Sequence, residues 1–148
     1  MKKWILAAAA ALSLAACNDK ELGPEYTTVA QFGVVERQPE VVTSDDAVRI
    51  TAPITSEYGL QQAFLLYWLD GNTDAPVKTQ SIPYLETSKA VTFTATIPKQ
   101  KVGTQVGYQV VAITPYNVWS WTEPATYQVD APAAKPDERP EENSGNRQ

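Results

Sequence analysis

Residues 47–55 read AVRITAPIT, and the alternation within this stretch decides the fold class. Val48, Ile50, Ala52 and Ile54 share one face of an extended strand, because successive side chains of a strand point to opposite faces. One apolar face and one mixed, more polar face are typical of an antiparallel sheet with a single buried side. Residues 90–98, AVTFTATIP, repeat the pattern, and Pro98 ends that strand because proline cannot donate to a ladder.

The rest of the chain between residues 27 and 130 has no long segment with helical periodicity. Short β-rich runs are instead separated by Gly, Pro, Asn and Asp, a pattern that predicts an antiparallel sandwich. The length of this region suits one domain with a modest core. We therefore predict an all-β fold of seven antiparallel strands, lying within residues 31–37, 47–55, 63–70, 77–82, 90–98, 104–114 and 125–129.

Two longer stretches carry a resemblance to a known family. RQPEVVTSDDAVRITAPITSEYGLQQAFLLYWLDG (residues 37–71) and FTATIPKQKVGTQVGYQVVA (residues 93–112) are similar to bacterial immunoglobulin-like or fibronectin type III-like domains. The resemblance spans residues 31–130 and implies a β-sandwich used for binding or spacing. The chain departs from the family's usual turn at TPYNVWSW (residues 114–121), which makes this loop individual.

The strand AFLLYWLD, residues 63–70, has apolar residues on both faces. The resemblance implies that Ala63, Leu65, Tyr67 and Leu69 face the core. The outward set is then apolar as well, and it adjoins two apolar residues of a neighbouring strand. We predict that these five side chains form one patch: Phe64, Leu66, Trp68, Val111 and Ile113.

Three interpretations of this patch remain open. The chain itself could cover it, through the segment around Phe32 or the loop around Tyr84. A protein partner or a second copy could bind it, since contiguous exposed apolar surface marks interaction sites. The third interpretation is sugar recognition by stacked rings, for which YNVWSW supplies candidate residues: Tyr116, Asn117, Trp119 and Trp121. A loop tryptophan can equally plug the end of a sandwich.

The first 17 residues, MKKWILAAAAALSLAAC, predict export. Two lysines precede an apolar run over residues 4–16 that is too short to cross a bilayer and has the order of a secretory signal. LAAC at residues 14–17 resembles the lipobox of bacterial lipoproteins. That resemblance implies removal of residues 1–16 and acyl chains on Cys17, which together give durable membrane anchoring.

The segments that flank the domain refine this prediction. Residues 17–26 suit a short lipidated tether, and Asn18 stands where aspartate signals inner-membrane retention in many lipoproteins. We therefore predict the outer membrane, with surface display and periplasmic orientation both open. Residues 131–148 are rich in proline and charge and lack large apolar side chains, so we predict a disordered tail.

Composition excludes several functions. Without Lys2 and Lys3 the chain has 10 basic and 17 acidic residues, a net charge of −7, which argues against nucleic acid and against anionic lipid. There is no histidine and only one cysteine, so histidine-dependent and thiol chemistry have no residues available. Paired carboxylates could still act as acid and base or bind calcium. The candidates all fall in or beside predicted turns, where acidic residues are ordinary turn chemistry: Asp45, Asp46, Glu57, Asp70 and Asp74.

The sequence thus predicts a non-enzymatic lipoprotein with no metal and no cofactor beyond the lipid on Cys17. Its partner is another envelope protein or a second copy, contacted through the apolar patch. A glycan-binding lipoprotein is the alternative, and a structural spacer domain is the third candidate.

Overall fold

The structure, a computed structural model, describes residues 22–136. The predicted signal peptide, Cys17 and residues 137–148 of the predicted tail lie outside this range. After a 3-10 turn at Pro24–Tyr26, ten strands follow in chain order: β1 (Gln31–Phe32), β2 (Glu36–Gln38), β3 (Val48–Thr55), β4 (Gln62–Leu69), β5 (Val77–Lys78), β6 (Ile82–Pro83), β7 (Ala90–Ile97), β8 (Gln105–Ile113), β9 (Trp119–Trp121) and β10 (Ala125–Gln128).

The smaller of the two sheets is built around β3. Strands β1 and β2 pair with one edge of β3 and β7 pairs with the other, all antiparallel. The alternation in AVRITAPIT is realised directly, since Val48, Ile50, Ala52 and Ile54 are buried and Arg49 is exposed. One-sided burial therefore sets the register of this sheet.

The larger sheet is built around β4 and β8, which pair antiparallel over their length with Leu65 opposite Val110. Strands β9 and β10 pair with the other edge of β8, and β5 and β6 pair with the other edge of β4. A continuous cluster of buried side chains draws on both sheets. The predicted all-β fold with antiparallel sheets is confirmed.

The number of strands differs from the seven predicted from the sequence. Residues 31–37 form the two short strands β1 and β2, and residues 77–82 contribute to the two short strands β5 and β6. A further strand, β9, forms from WSW and pairs with β8. Two of the three additional strands arise because predicted edge strands are interrupted. The third, β9, pairs with β8 in a hairpin.

The described chain enters and leaves the fold at opposite ends. The chain enters near the turn between β3 and β4, because Gln31 lies opposite Thr55. It leaves at the other end, where Asp130 bridges Thr43. We call these the proximal end and the distal end.

Among residues 22–136, no helix has the length and apolar character needed to cross a membrane.

Tyr127 of β10 is buried in the core beneath the guanidinium of Arg37, whose Cζ lies 5.2 Å from the ring centroid. Burial raises the pKa of Tyr127 to about 12, although Arg37 acts in the opposite direction. Its hydroxyl has no hydrogen-bond partner within the described residues. The folded state therefore holds the phenolic proton more tightly than the unfolded chain does.

We expect this proton to make stability depend on alkaline pH. Below pH 10, Tyr127 is protonated in both the folded and the unfolded chain, and its contribution to the free energy of unfolding is fully present. This contribution is lost as the pH rises toward 12. Tyr127→Phe should reduce the loss of stability in this window, while leaving stability at pH 7 unchanged or slightly higher because an unpaired hydroxyl is removed. Urea unfolding at several pH values measures both effects, with exposed Tyr116→Phe as the control. Identical pH profiles for wild type and Tyr127→Phe would contradict the prediction.

Candidate functional site

The outward side of the larger sheet gathers most of the residues singled out from the sequence. Directly paired residues of antiparallel strands share a face. Phe64 lies opposite Val111, which lies opposite Trp121, and Ile113 lies opposite Trp119. Leu66 lies opposite Lys78 of β5. We call this surface the aromatic face: Phe64, Leu66, Trp68, Lys78, Val111, Ile113, Trp119 and Trp121.

A tight hairpin brings the two tryptophans to this face. The backbone N–H of Thr114 donates to the carbonyl of Val118 at 3.0 Å, and Asn117 N–H donates back to Thr114 at 3.0 Å. Asn117 has a φ of +60°, a conformation that asparagine adopts more readily than most residues. The TPYNV sequence therefore turns the chain back, and β9 pairs with the end of β8.

The predicted patch is largely covered within the chain. Phe64, Val111 and Ile113 form a second buried cluster and are only 2–3% exposed, while Leu66 packs against them and is partly buried. The Trp119 ring meets the Phe64 ring edge-to-face at a centroid distance of 6.1 Å. Lys78 Nζ lies 4.0 Å from the centroid of the same Phe64 ring.

The cover does not come from the segments that the sequence suggested. Phe32 and Tyr84 both pack against the main core instead. Phe64, Val111 and Ile113 cannot contact a partner directly while Trp119 and Lys78 lie over this cluster. Their place in the site is to support the residues above them, because a buried apolar layer fixes the position of the rings that pack on it.

The exposed part of the aromatic face consists mainly of Trp119 and Trp121. Their side chains are 47% and 58% exposed, and the residue between them, Ser120, is buried with its hydroxyl directed to the Ala112 carbonyl at 3.5 Å. The Trp119 indole N–H donates to Asn117 Oδ1 at 3.0 Å, which orients the ring. Two neighbouring tryptophans thus present accessible surface from one short strand.

Trp68 extends the aromatic face toward the distal end. It lies opposite Gly107 of β8, and a Cβ at position 107 would overlap the Trp68 indole ring. The glycine therefore provides the space in which the ring lies flat on the sheet. Trp68 is partly buried by this contact and forms the rim of the face rather than its centre.

Tyr116 separates from the other candidate glycan-binding residues. Its ring packs edge-to-face on Tyr26 at 5.3 Å and on Tyr58 at 6.4 Å between centroids. It therefore belongs to a tyrosine cluster at the proximal end. No sequence pattern predicts this grouping, since the three tyrosines come from three distant segments.

The candidate carboxylates are dispersed among turns. Asp46 accepts hydrogen bonds from the Thr43 backbone N–H at 2.8 Å and the Thr43 hydroxyl at 2.7 Å, and these bonds lower its pKa. Asp70 accepts from the Gln105 N–H at 3.0 Å. Glu57 lies at the proximal end, away from both. Over residues 22–136, no three acidic, cysteine or histidine residues are grouped as a metal site would require.

Comparisons with known proteins place the fold but not the family. No protein-family model matches the chain, and a search of curated proteins gives no match. Among solved structures, it resembles the sensor domain of the anti-sigma factor RsgI4 of Pseudobacteroides cellulosolvens with a TM-score of 0.53 and 18% identity, over 74% of this chain and 95% of that one. A shorter form of the same sensor domain gives a TM-score of 0.50 and 18% identity, over 70% and 95%.

A superoxide reductase (neelaredoxin) of Ignicoccus hospitalis is more distant, with a TM-score of 0.44 and 14% identity over 71% of this chain and 82% of that one. The likeness to the sensor domain, at 18% identity, shows a shared β-rich fold alone.

Proposed function

We propose that this chain is a non-enzymatic lipoprotein of the bacterial outer membrane, anchored by acyl chains on Cys17. Its folded part is an immunoglobulin-like, fibronectin type III-like sandwich that binds another envelope protein. The LAAC motif supports the anchor, and the two antiparallel sheets around a shared core support the sandwich. The likeness in fold to sensor domains is compatible with a binding role.

The single observation that carries the binding role is the exposure of Trp119 and Trp121 side by side on the aromatic face. Large aromatic side chains on a sheet surface raise the free energy of the protein while they contact water, and their burial in an interface lowers it. Tryptophan is also the residue type most enriched among interface hot spots. A structural spacer domain has no need for two solvent-exposed tryptophans, whose contact with water is unfavourable.

The supporting layer gives this surface the rigidity that binding requires. Trp119 is fixed from below by Phe64 and from the side by Asn117. A side chain that is already ordered loses little entropy when a partner covers it. We therefore assign direct contact to Trp119 and Trp121, rim contact to Leu66 and Trp68, and support to the buried cluster of Phe64, Val111 and Ile113.

Glycan binding is the second candidate function, and one observation favours it. Trp119 and Trp121 are two residues apart on one strand, so their Cα atoms lie about 6.8 Å apart and both rings project from the same face. Adjacent rings on a flat surface suit stacking against successive sugar rings. In this reading Asn117 positions Trp119, since its side-chain oxygen already accepts the indole N–H.

We expect Trp119→Ser with Trp121→Ser to weaken association with the envelope partner by at least about thirtyfold, which is the effect of losing about 2 kcal/mol from one hot-spot side chain. Trp121→Ser alone should show most of this loss of binding. Its unfolding midpoint should be unchanged, because the Trp121 side chain is mostly exposed. The experiment is co-purification from solubilised envelopes after expression of wild type, these variants and Cys17→Ser. Intact mass reports acylation of Cys17 in the same samples.

A matched control is Val41→Ser with Val102→Ser, which removes two exposed apolar side chains at the distal end. It should retain every partner. Equal recovery of all envelope proteins by wild type and the tryptophan variants would contradict protein binding. Quenching of tryptophan emission by a glycan panel in the wild type, lost in Trp121→Ser, would instead select the glycan alternative. An absence of both responses would leave a structural spacer.

A further inference from the structure

The proximal end carries a second aromatic surface, which the binding role of the aromatic face does not use. Tyr26 from the 3-10 turn, Tyr58 from the turn between β3 and β4, and Tyr116 from the β8–β9 hairpin converge there. Their rings pack edge-to-face, an arrangement that stabilises aromatic pairs. We call these three residues the tyrosine cluster.

The tyrosine cluster is ordered but accessible. Tyr26 and Tyr116 are 48% and 41% exposed although they pack against one another. Leu22 and Val29 of the incoming segment and Leu85 of the β6–β7 loop are exposed as well. At the distal end the exposed large apolar residues are aliphatic, namely Val41 and Val102. The accessible tyrosines of the described residues are therefore concentrated where the chain enters.

Tyrosine combines an apolar ring with a polar hydroxyl, and such side chains accumulate where a membrane meets water. The ring can enter the boundary of the acyl region while the hydroxyl remains among the headgroups. Exposed leucine and valine at the same end add apolar surface, and moving this surface out of water lowers the free energy. The chemistry of the proximal end thus fits a bilayer interface.

The length of chain before the described residues determines which end can reach that interface. Cys17 is five residues from Leu22, and five fully extended residues span at most about 18 Å. The nine-residue β8 alone is about 30 Å long, so the distal end lies much farther from the anchor. This step rests on the proposed lipidation of Cys17.

The charges around the tyrosine cluster define the kind of lipid surface. Glu25 and Glu57 lie close enough to Tyr58 to add to the raised pKa that burial gives its hydroxyl. Glu86 and the basic Lys89 belong to the same end, because the Glu86 carbonyl lies against Gly59 and the Lys89 carbonyl accepts from the Ser56 N–H. A surface with more carboxylates than amines is repelled by anionic headgroups. It is compatible with zwitterionic ones.

We propose that the proximal end rests on a zwitterionic phospholipid surface, with Tyr26 and Tyr116 at the level of the headgroups. The long axis of the sandwich then stands away from the membrane. The aromatic face consequently points sideways, where a neighbouring envelope protein can reach Trp119 and Trp121.

Hydrogen exchange on anchored protein tests this contact. The lipoprotein purified from membranes is reconstituted in phosphatidylcholine vesicles, and its amide exchange is compared with that of the chain from Cys17 to Gln148 free in solution. We expect several-fold slower exchange over residues 22–30, 56–61 and 114–118, and unchanged exchange over residues 41–47 and 99–104. Tyr26→Ser with Tyr116→Ser should abolish the slowing, while Val41→Ser with Val102→Ser should retain it.

A second arm separates this proposal from the lipidation on which it rests. Cys17 is the only cysteine, so the chain from Cys17 to Gln148 can be coupled there to a maleimide lipid in the same vesicles. Native protein without acyl mass would remove the lipidation proposal, whereas this arm still reports the contact. Unchanged exchange at the proximal end of the coupled protein would overturn the contact. So would slowing confined to phosphatidylglycerol vesicles, or slowing in solution that grows with protein concentration and indicates a second copy.

Discussion

Gly59→Ala is expected to lower the free energy of unfolding by about 4 kcal/mol, among the largest costs available to a single methyl group in this chain. Gly59 has a φ of +87°, where a Cβ is strained, and a Cβ there would also overlap the backbone oxygen of Glu86. Backbone cannot move aside as a flexible side chain can. The turn between β3 and β4 must therefore separate from the β6–β7 loop, which disrupts the proximal end next to Tyr58.

The matched control is Gly71→Ala. Gly71 has a similar φ of +74°, but a Cβ there meets no atom within 4 Å. This substitution should cost only the conformational strain, about 1–2 kcal/mol. Urea unfolding of the two variants separates strain from overlap. Equal losses of stability would show that the close approach to Glu86 does not constrain the fold.

Phe64→Ala is expected to lower the free energy of unfolding by about 3 kcal/mol, the usual cost of truncating a buried phenylalanine. Phe64 is 3% exposed and lies beneath Trp119 and Lys78. Its removal leaves a cavity in the second buried cluster and takes away the surface on which the Trp119 ring packs. We therefore also expect weaker partner binding, even though Phe64 itself is not accessible.

Trp121→Ala is the matched comparison, because it removes a larger ring that is mostly exposed. It should change the free energy of unfolding by less than about 1 kcal/mol while reducing binding strongly. Thermal and urea unfolding, measured beside the binding assay, give the two effects separately. A Phe64→Ala protein as stable as wild type would contradict the assignment of Phe64 as support.

The alternation of apolar and polar residues was sufficient to predict strands that are buried on one face only. The alternation of residues 47–55 and 90–98 predicted two strands that pair along their whole length. The assignment of residues 63–69 also holds: Ala63, Leu65 and Tyr67 are buried in the main core, and Phe64 lies in the second cluster. Here the pleat of a strand fixes which side chains share a face, whatever lies beyond them.

The cover of the second cluster could not be predicted in the same way. It depends on β9, and the pairing of Trp119 with Ile113 requires a hairpin whose turn contains Asn117 at positive φ. The segment TPYNV offered a signal, since proline and asparagine favour turns. The tyrosine cluster had no such signal, because residues 26, 58 and 116 are brought together by pairing between segments far apart in the chain.

The sequence by itself determined an all-β chain with antiparallel sheets, the inward and outward sets of its long strands, and an apolar outward set on residues 63–69. These follow from local rules of strand geometry and from the exclusion of apolar side chains from water. Only the tertiary structure decided that Phe64, Val111 and Ile113 are covered while Trp119 and Trp121 are exposed. The reason is physical: exposure depends on which distant segment arrives above a strand, and that is set by pairing between residues far apart in the chain.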